Sequence, residues 1–168
     1  FSAANGSANN GIMRLNPDGT LDNTFNVGIG TNGGNLSCIE KRSSGNYIVG
    51  GNFNSINGIS RIGLAEINPD GTINSNNFTS AFSQNVGVTD VEELENGKVI
   101  VSATLGLFGF NSDGSVNSVF NTYSSDIRTI LELPDSKIMV GGYFTSLGVT
   151  AVNQLARLYP DGSIDVSF

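Results

Sequence analysis

The stretch Leu15-Asn16-Pro17-Asp18-Gly19-Thr20-Leu21-Asp22-Asn23-Thr24-Phe25 decides the fold, because it returns three more times. Close copies run from Ile67 to Phe78, from Phe110 to Phe120 and from Leu158 to Phe168. The Asp-Gly pair falls at Asp18-Gly19, Asp70-Gly71, Asp113-Gly114 and Asp161-Gly162. A motif that returns at roughly 45 residues marks a repeat architecture. Within it the Asp bonds its own backbone and the Gly takes a left-handed conformation, so each pair is expected to be the tip of a structural turn.

Working outward, apolar runs precede each copy. One set is Tyr47 to Phe53, Val99 to Leu105 and Ile138 to Phe144; another is Leu36 to Ile39, Val88 to Leu94 and Ile127 to Leu133. Short turn formers join the second set to the first: Ser43-Ser44-Gly45-Asn46, Glu95-Asn96-Gly97-Lys98 and Pro134-Asp135-Ser136-Lys137. Turn formers between two apolar runs predict a hairpin. With the strand that enters the Asp-Gly turn and the one that leaves it, each repeat holds four strands, here a, b, c and d. Four antiparallel strands repeated at this period predict an all-β fold, a β-propeller of four-stranded blades. A solenoid or a sandwich fits less well, because neither repeats a motif of this length so literally.

Phe1 precedes Asn16 by the same distance that separates Phe53 from Asn68 and Phe144 from Tyr159. The expected repeats are therefore about 1–25 (partial), 26–78, 79–120 and 121–168, a single propeller segment of about three and a half blades. Rings close with ~4 to 8 blades. The expectation is an incomplete ring, completed by further blades of the same chain or by a partner subunit.

Composition narrows the function. The chain of 168 residues is dominated by Gly, Asn, Ser and Thr, and its net charge of −7 is the wrong sign for a phosphate-binding surface. Nucleic acid is not an expected partner. No apolar run approaches the ~20 residues of a spanning helix, so membrane insertion is not expected. There is no His, which removes the His-based triads and the commonest zinc ligand. The lone Cys38 lies between apolar neighbours and reads as a small buried residue. Neither a cofactor nor a metal is called for.

The segments RLNPDGTLDNTF (14–25), RLYPDGSIDVSF (157–168) and KIMVGGYF (137–144) resemble the delta-60 repeat, a bacterial family regarded as a β-propeller of unknown function. The third repeat departs most, with Ser102-Ala103 where the others carry Gly-Gly. The resemblance implies a long repetitive protein, secreted or displayed on the bacterial cell surface, and supplies no catalytic residues. The composition is equally compatible with a phage structural protein.

Several lookalike motifs fail on register. An EF-hand loop with Gly19 at its sixth position would put Arg14 first and Phe25 last, where the ion needs carboxylates; the fourth copy gives Arg157 and Phe168. The sialidase Asp-box separates its Asp and Gly by a residue, whereas here they are adjacent. Arg14 and Arg157 occupy one repeat position and should pair with an Asp of the turn. The acidic group Asp90, Glu92, Glu93 and Glu95 is the one candidate for carboxylate chemistry, and reads as a solvated blade edge. Phe25, Phe53, Phe78, Phe120, Phe144 and Phe168 recur in register and read as core between blades.

Strand order a to d sends the a–b and c–d turns to one face of the propeller, where they vary little. The d–a links and b–c loops lie on the other face, and they differ from repeat to repeat. Recognition uses loops that vary on a rigid frame, which places any ligand on that face, with Asn54, Asn57, Tyr123, Thr145 and Thr150 as contacts. The function expected is a non-enzymatic binding or structural module of an extracellular or surface-exposed protein, recognising protein or glycan. The alternatives are a carbohydrate-active enzyme, hydrolase or lyase, and a phage virion structural or receptor-binding component.

Overall fold

The structure, a computed structural model, describes residues 3, 4, 7, 8, 11–26, 28–79, 81–84, 86–118 and 126–168, with backbone alone at 3, 4, 7 and 8. In chain order the strands fall into blades. The first half-blade carries β1 (Ala3–Ala4) and β2 (Ser7–Ala8). The second blade carries β3 (Thr31–Asn32), β4 (Leu36–Lys41), β5 (Tyr47–Gly51), β6 (Ser55–Ile56), β7 (Ile59–Ser60) and β8 (Leu64–Ile67). The third carries β9 (Val88–Glu93), β10 (Val99–Ala103), β11 (Gly106–Phe110) and β12 (Val116–Asn117). The fourth carries β13 (Asp126–Glu132), β14 (Ile138–Tyr143), β15 (Ser146–Leu147), β16 (Thr150–Ala151) and β17 (Leu155–Leu158).

All pairings are antiparallel, in the order a-b-c within each blade, as the sequence predicts. The fourth strand is more reduced than expected. Among the described residues only the third blade has a strand d of its own, β12 on β11; elsewhere d is a single bridge, Leu15 to Leu21, Ile67 to Ile73 and Leu158 to Ile164. The reason lies in the Asp-Gly turn, which spends most of the short d segment on bonding itself. Strand a of the second, third and fourth blades stand side by side, β4 beside β9 beside β13, and the blades form an arc of an incomplete ring.

Each strand a has a bulge at the same place, between Leu36 and Cys38, opposite Ser102 and Ala103, and between Ile127 and Thr129. The bulge brings strand a against strand b. A Cβ on Gly51 or Gly142 would strike the backbone of Leu36 or Ile127, which accounts for the second glycine of the pair in these two blades, while one on Gly50 would meet the Val88 and Cys38 side chains. In the third blade Ala103 stands where the others have Gly51 and Gly142, and Ser102, in the place of Gly50 and Gly141, shares a hydrogen bond with the Thr89 hydroxyl at 2.9 Å.

The core lies between blades. Strand b alternates its faces, so Val49 packs toward the first half-blade with Ile12, Phe53 and Ile67, while Ile48 packs toward the third blade with Val88, Val99, Val101 and Phe110. Ile100 faces on to the fourth blade with Ile127, Ile138 and Val140. The recurring aromatics bridge these layers: Phe78 meets Phe110 edge-on at 5.5 Å, and Phe25 meets Tyr47 at 6.0 Å. Phe53, Phe78 and Phe144 are buried as expected, but Phe168 is exposed, with Arg157 of its own blade over its ring. Phe120 lies outside the described residues.

Candidate functional site

The four Asp-Gly turns share one geometry. Asp18 Oδ1 accepts from the Thr20 amide at 2.9 Å and the Thr20 hydroxyl at 2.6 Å, and Asp70, Asp113 and Asp161 repeat this with Thr72, Ser115 and Ser163. These hydrogen bonds hold each carboxyl below the usual Asp range. Gly19, Gly71, Gly114 and Gly162 have φ of 83°, 93°, 79° and 85°. Oδ1 of each turn Asp is thus committed to closing its own hairpin.

Arg14 and Arg157 pair with the second Asp of the motif, Asp22 at 2.7 Å and Asp165 at 2.8 Å. Thr24, then the Arg14 guanidinium, brings the Asp22 carboxyl down to about 2. Asp165 lies lower still, held by Ser167, Lys137 and Arg157. Arg42 is buried between Glu66 at 2.8 Å and Glu93 at 2.9 Å, and so ties the second blade to the third. Arg128 pairs with Asp126 at 2.7 Å. Among the described residues Arg61 alone of the five bonds only carbonyls, those of Ser60 and Ser75.

The acidic group is not the solvated edge that the sequence suggests. Asp90 accepts the amide of Ile130 at 2.9 Å, and Glu92 that of Glu132 at 3.2 Å, so the side chains of one strand a satisfy the free edge of the next. Glu93 points the other way, as alternation predicts, to Arg42. Burial, with the neighbouring carboxylates, raises Glu40 and Glu92 above the usual Glu range. Cys38 is half-buried and its thiol is pushed up to about 12 by burial, so it is no nucleophile.

On the opposite face the loops are better ordered than the sequence suggests. Residues 55–60 form a hairpin, β6 on β7, with Asn57 and Gly58 at φ 51° and 74°. Strand β3 from the d–a link pairs with β6, Thr31 opposite Ile56, which makes a three-stranded sheet of both loops. The hairpin returns as β15 on β16 in the fourth blade, and β1 on β2 holds the same repeat position in the first. The signal was the dipeptide Asn57-Gly58 between Ile56 and Ile59, a turn favoured by φ > 0 at both positions. In the third blade the link is the tight turn at Leu105.

Of the expected contacts, Asn54 is exposed, with its amide on the Asn32 carbonyl at 2.9 Å. Asn57 serves the turn, and its side chain accepts from the Ile29 amide at 3.3 Å. Thr145 lines one depression of the fourth blade, with Ala151, Val152 and Asn153, and Thr150 another, with Leu147, Val149 and Val166. The four residues belong to hairpins of the second and fourth blades, with the third between them. Tyr123 lies outside the described residues. Phe82, which does not fit the repeat and is read from the sequence as a linker residue, meets Phe108 ring to ring at 5.0 Å and forms a third depression with Ser60, Arg61 and Thr79.

Repeated a-b-c sheets joined by strand a, with interlocking faces, define a β-propeller repeat protein. The chain belongs to the family described as Domain of unknown function (DUF5122) beta-propeller, whose model matches residues 1–25, 42–76 and 133–168. The unmatched residues 77–132 hold the third blade, the one without Gly-Gly and without the b–c hairpin. A crystal structure of a protein of unknown function from Bacteroides caccae is similar at 17% identity, over 75% of this chain and 46% of that one, with a TM-score of 0.47. This chain therefore spans about half the length of that protein. No curated protein matches.

Proposed function

We propose that the chain is a non-enzymatic binding module of the delta-60 repeat type, part of an extracellular or surface-exposed bacterial protein, which recognises protein or glycan with its loop face. The observation that carries this reading is the three-stranded sheet of β3, β6 and β7, which turns two loops of differing sequence into a rigid platform on one face. The other face repeats one hairpin turn and has little to vary. Further blades of the same chain, or a partner subunit, cover the outer face of the fourth blade.

A panel of glycans and surface proteins tests the reading, scored for both binding and turnover. Binding without turnover, lost on alanine substitution at Asn54 or Thr150 with an unchanged melting temperature, is the expected result. Turnover of a bound glycan, or loss of binding only from substitutions at the Asp-Gly face, overturns it.

A further inference from the structure

We propose that the depression beside Arg61 binds a sugar residue bearing a carboxylate, a hexuronate unit of a glycan, an inference that rests on the loop face being the recognition surface. Arg61 is 7% exposed, and its guanidinium donates to the Ser60 carbonyl at 2.8 Å and the Ser75 carbonyl at 3.1 Å. Its Nε is buried and donates to nothing among the described residues. A guanidinium has five N–H donors and a charge that is costly to bury without an opposite one. Arg14, Arg42, Arg128 and Arg157 each have a carboxylate within 2.9 Å. Arg61 has the donors for one and no such partner among the described residues.

The repeat shows that the fold does not need this charge. The Gly51 amide bonds the Gly63 carbonyl as the Gly142 amide bonds that of Gln154, which aligns Arg61 with Val152. Val152 is half-buried and packs on the core of the fourth blade. The same depression there, lined by Thr145, Ala151, Val152 and Asn153, is uncharged.

In the second blade the depression measures about 350 Å³ and is lined by Ser60, Arg61, Ile62, Thr79, Phe82 and Ser83 among others. That is the lower range of small-molecule sites, enough for one monosaccharide. Ser60, Thr79 and Ser83 are exposed hydroxyl residues, and Phe82 is fixed by edge contacts with Phe108 and Phe110 at 5.0 and 5.9 Å. Hydroxyls and an aromatic ring suit the polar rim and apolar C–H face of a sugar, while the guanidinium takes its carboxylate in paired hydrogen bonds. The net charge of −7 opposes a polyanion at long range, so a single acidic sugar is accommodated rather than a densely charged chain.

The test titrates the 168-residue chain with sodium glucuronate, methyl glucoside and sodium acetate by calorimetry. Glucuronate should bind, the other two far more weakly, and Arg61→Met should weaken glucuronate at least about tenfold with the melting temperature kept or raised. Arg61→Val, which copies the fourth blade, should do the same; Arg61→Lys should keep part of the affinity. Equal binding by wild type and Arg61→Met, acetate or methyl glucoside binding as tightly as glucuronate, or no saturable glucuronate binding each overturns the proposal. So does a large fall in melting temperature in both uncharged variants, which would make Arg61 structural. Where glucuronate fails but a panel ligand still depends on Asn54 or Thr150, the acidic-sugar assignment falls and the loop-face reading stands; where no panel ligand depends on that face, both fall.

Discussion

The third blade and the fourth are built from the same repeat, yet they differ in what covers them. Leu64, Leu107 and Leu155 hold one position of strand c, and they are 0%, 1% and 49% exposed. At the end of strand d, Phe78 is 1% exposed and Phe168 57%. The difference returns at the other end of the arc, where Ile39 on strand a is 55% exposed, while its counterparts Val91 and Ile130 are buried. Burial here is a property of the neighbouring blade, since each blade supplies only half of each apolar layer. The cost of a substitution should follow the neighbour rather than the residue.

The largest effect sets Leu107→Ala against Leu155→Ala. The first opens a cavity between two blades and should cost about 2–5 kcal/mol, whereas the second removes a half-exposed side chain and should cost under about 1 kcal/mol. Urea denaturation measures both, and equal losses would break the comparison. Next, Arg42→Met leaves Glu66 and Glu93 buried without their cation, a loss of about 3 kcal/mol. Arg128→Met, at the exposed pair with Asp126, should cost under about 1 kcal/mol. A Tm change of the same size in both would deny that the blade interface matters.

A smaller contrast compares two turn glycines. A Cβ on Gly71 would stand 2.5 Å from the Asn26 amide, at the start of the link that follows the first half-blade, whereas one on Gly19 would meet nothing within 4 Å. Both substitutions bear the left-handed strain of about 1 kcal/mol, so Gly71→Ala should cost measurably more than Gly19→Ala. Chelator should leave the melting temperature unchanged; a fall of several degrees, restored by calcium, would refute the turn reading.

The smallest effect is that of pH. Glu40 and Glu92 are raised above their ordinary 4.5, so the folded chain holds those protons more tightly, and the stability they add below 4.5 is lost as pH rises through the folded values. Asp18, Asp22, Asp70, Asp113, Asp161 and Asp165 are lowered, so their contribution is present above 3.8 and is lost as pH falls, for Asp22 through about 2. The melting temperature should therefore peak between about pH 4 and 5 and fall on both sides. Glu40→Gln with Glu92→Gln should flatten the alkaline side, and a profile that still falls from pH 5 to 8 would show that other groups govern it.

Taken alone, the sequence determined the repeat, the order of strands a, b and c, and the Asp-Gly turns, because these follow from alternation along a strand and from backbone preferences within four residues. It also held the Asn57-Gly58 hairpin, although the pairing of that hairpin with Thr31 joins residues that only a folded blade brings together. Tertiary structure decided the rest. That Asp90 and Glu92 bond the edge of the fourth blade, that Phe168 lies bare while Phe78 is buried, and that Arg61 stands without a carboxylate where Val152 would serve all depend on which blade stands next. Such contacts run between whole repeats, and no local pattern of residues encodes them.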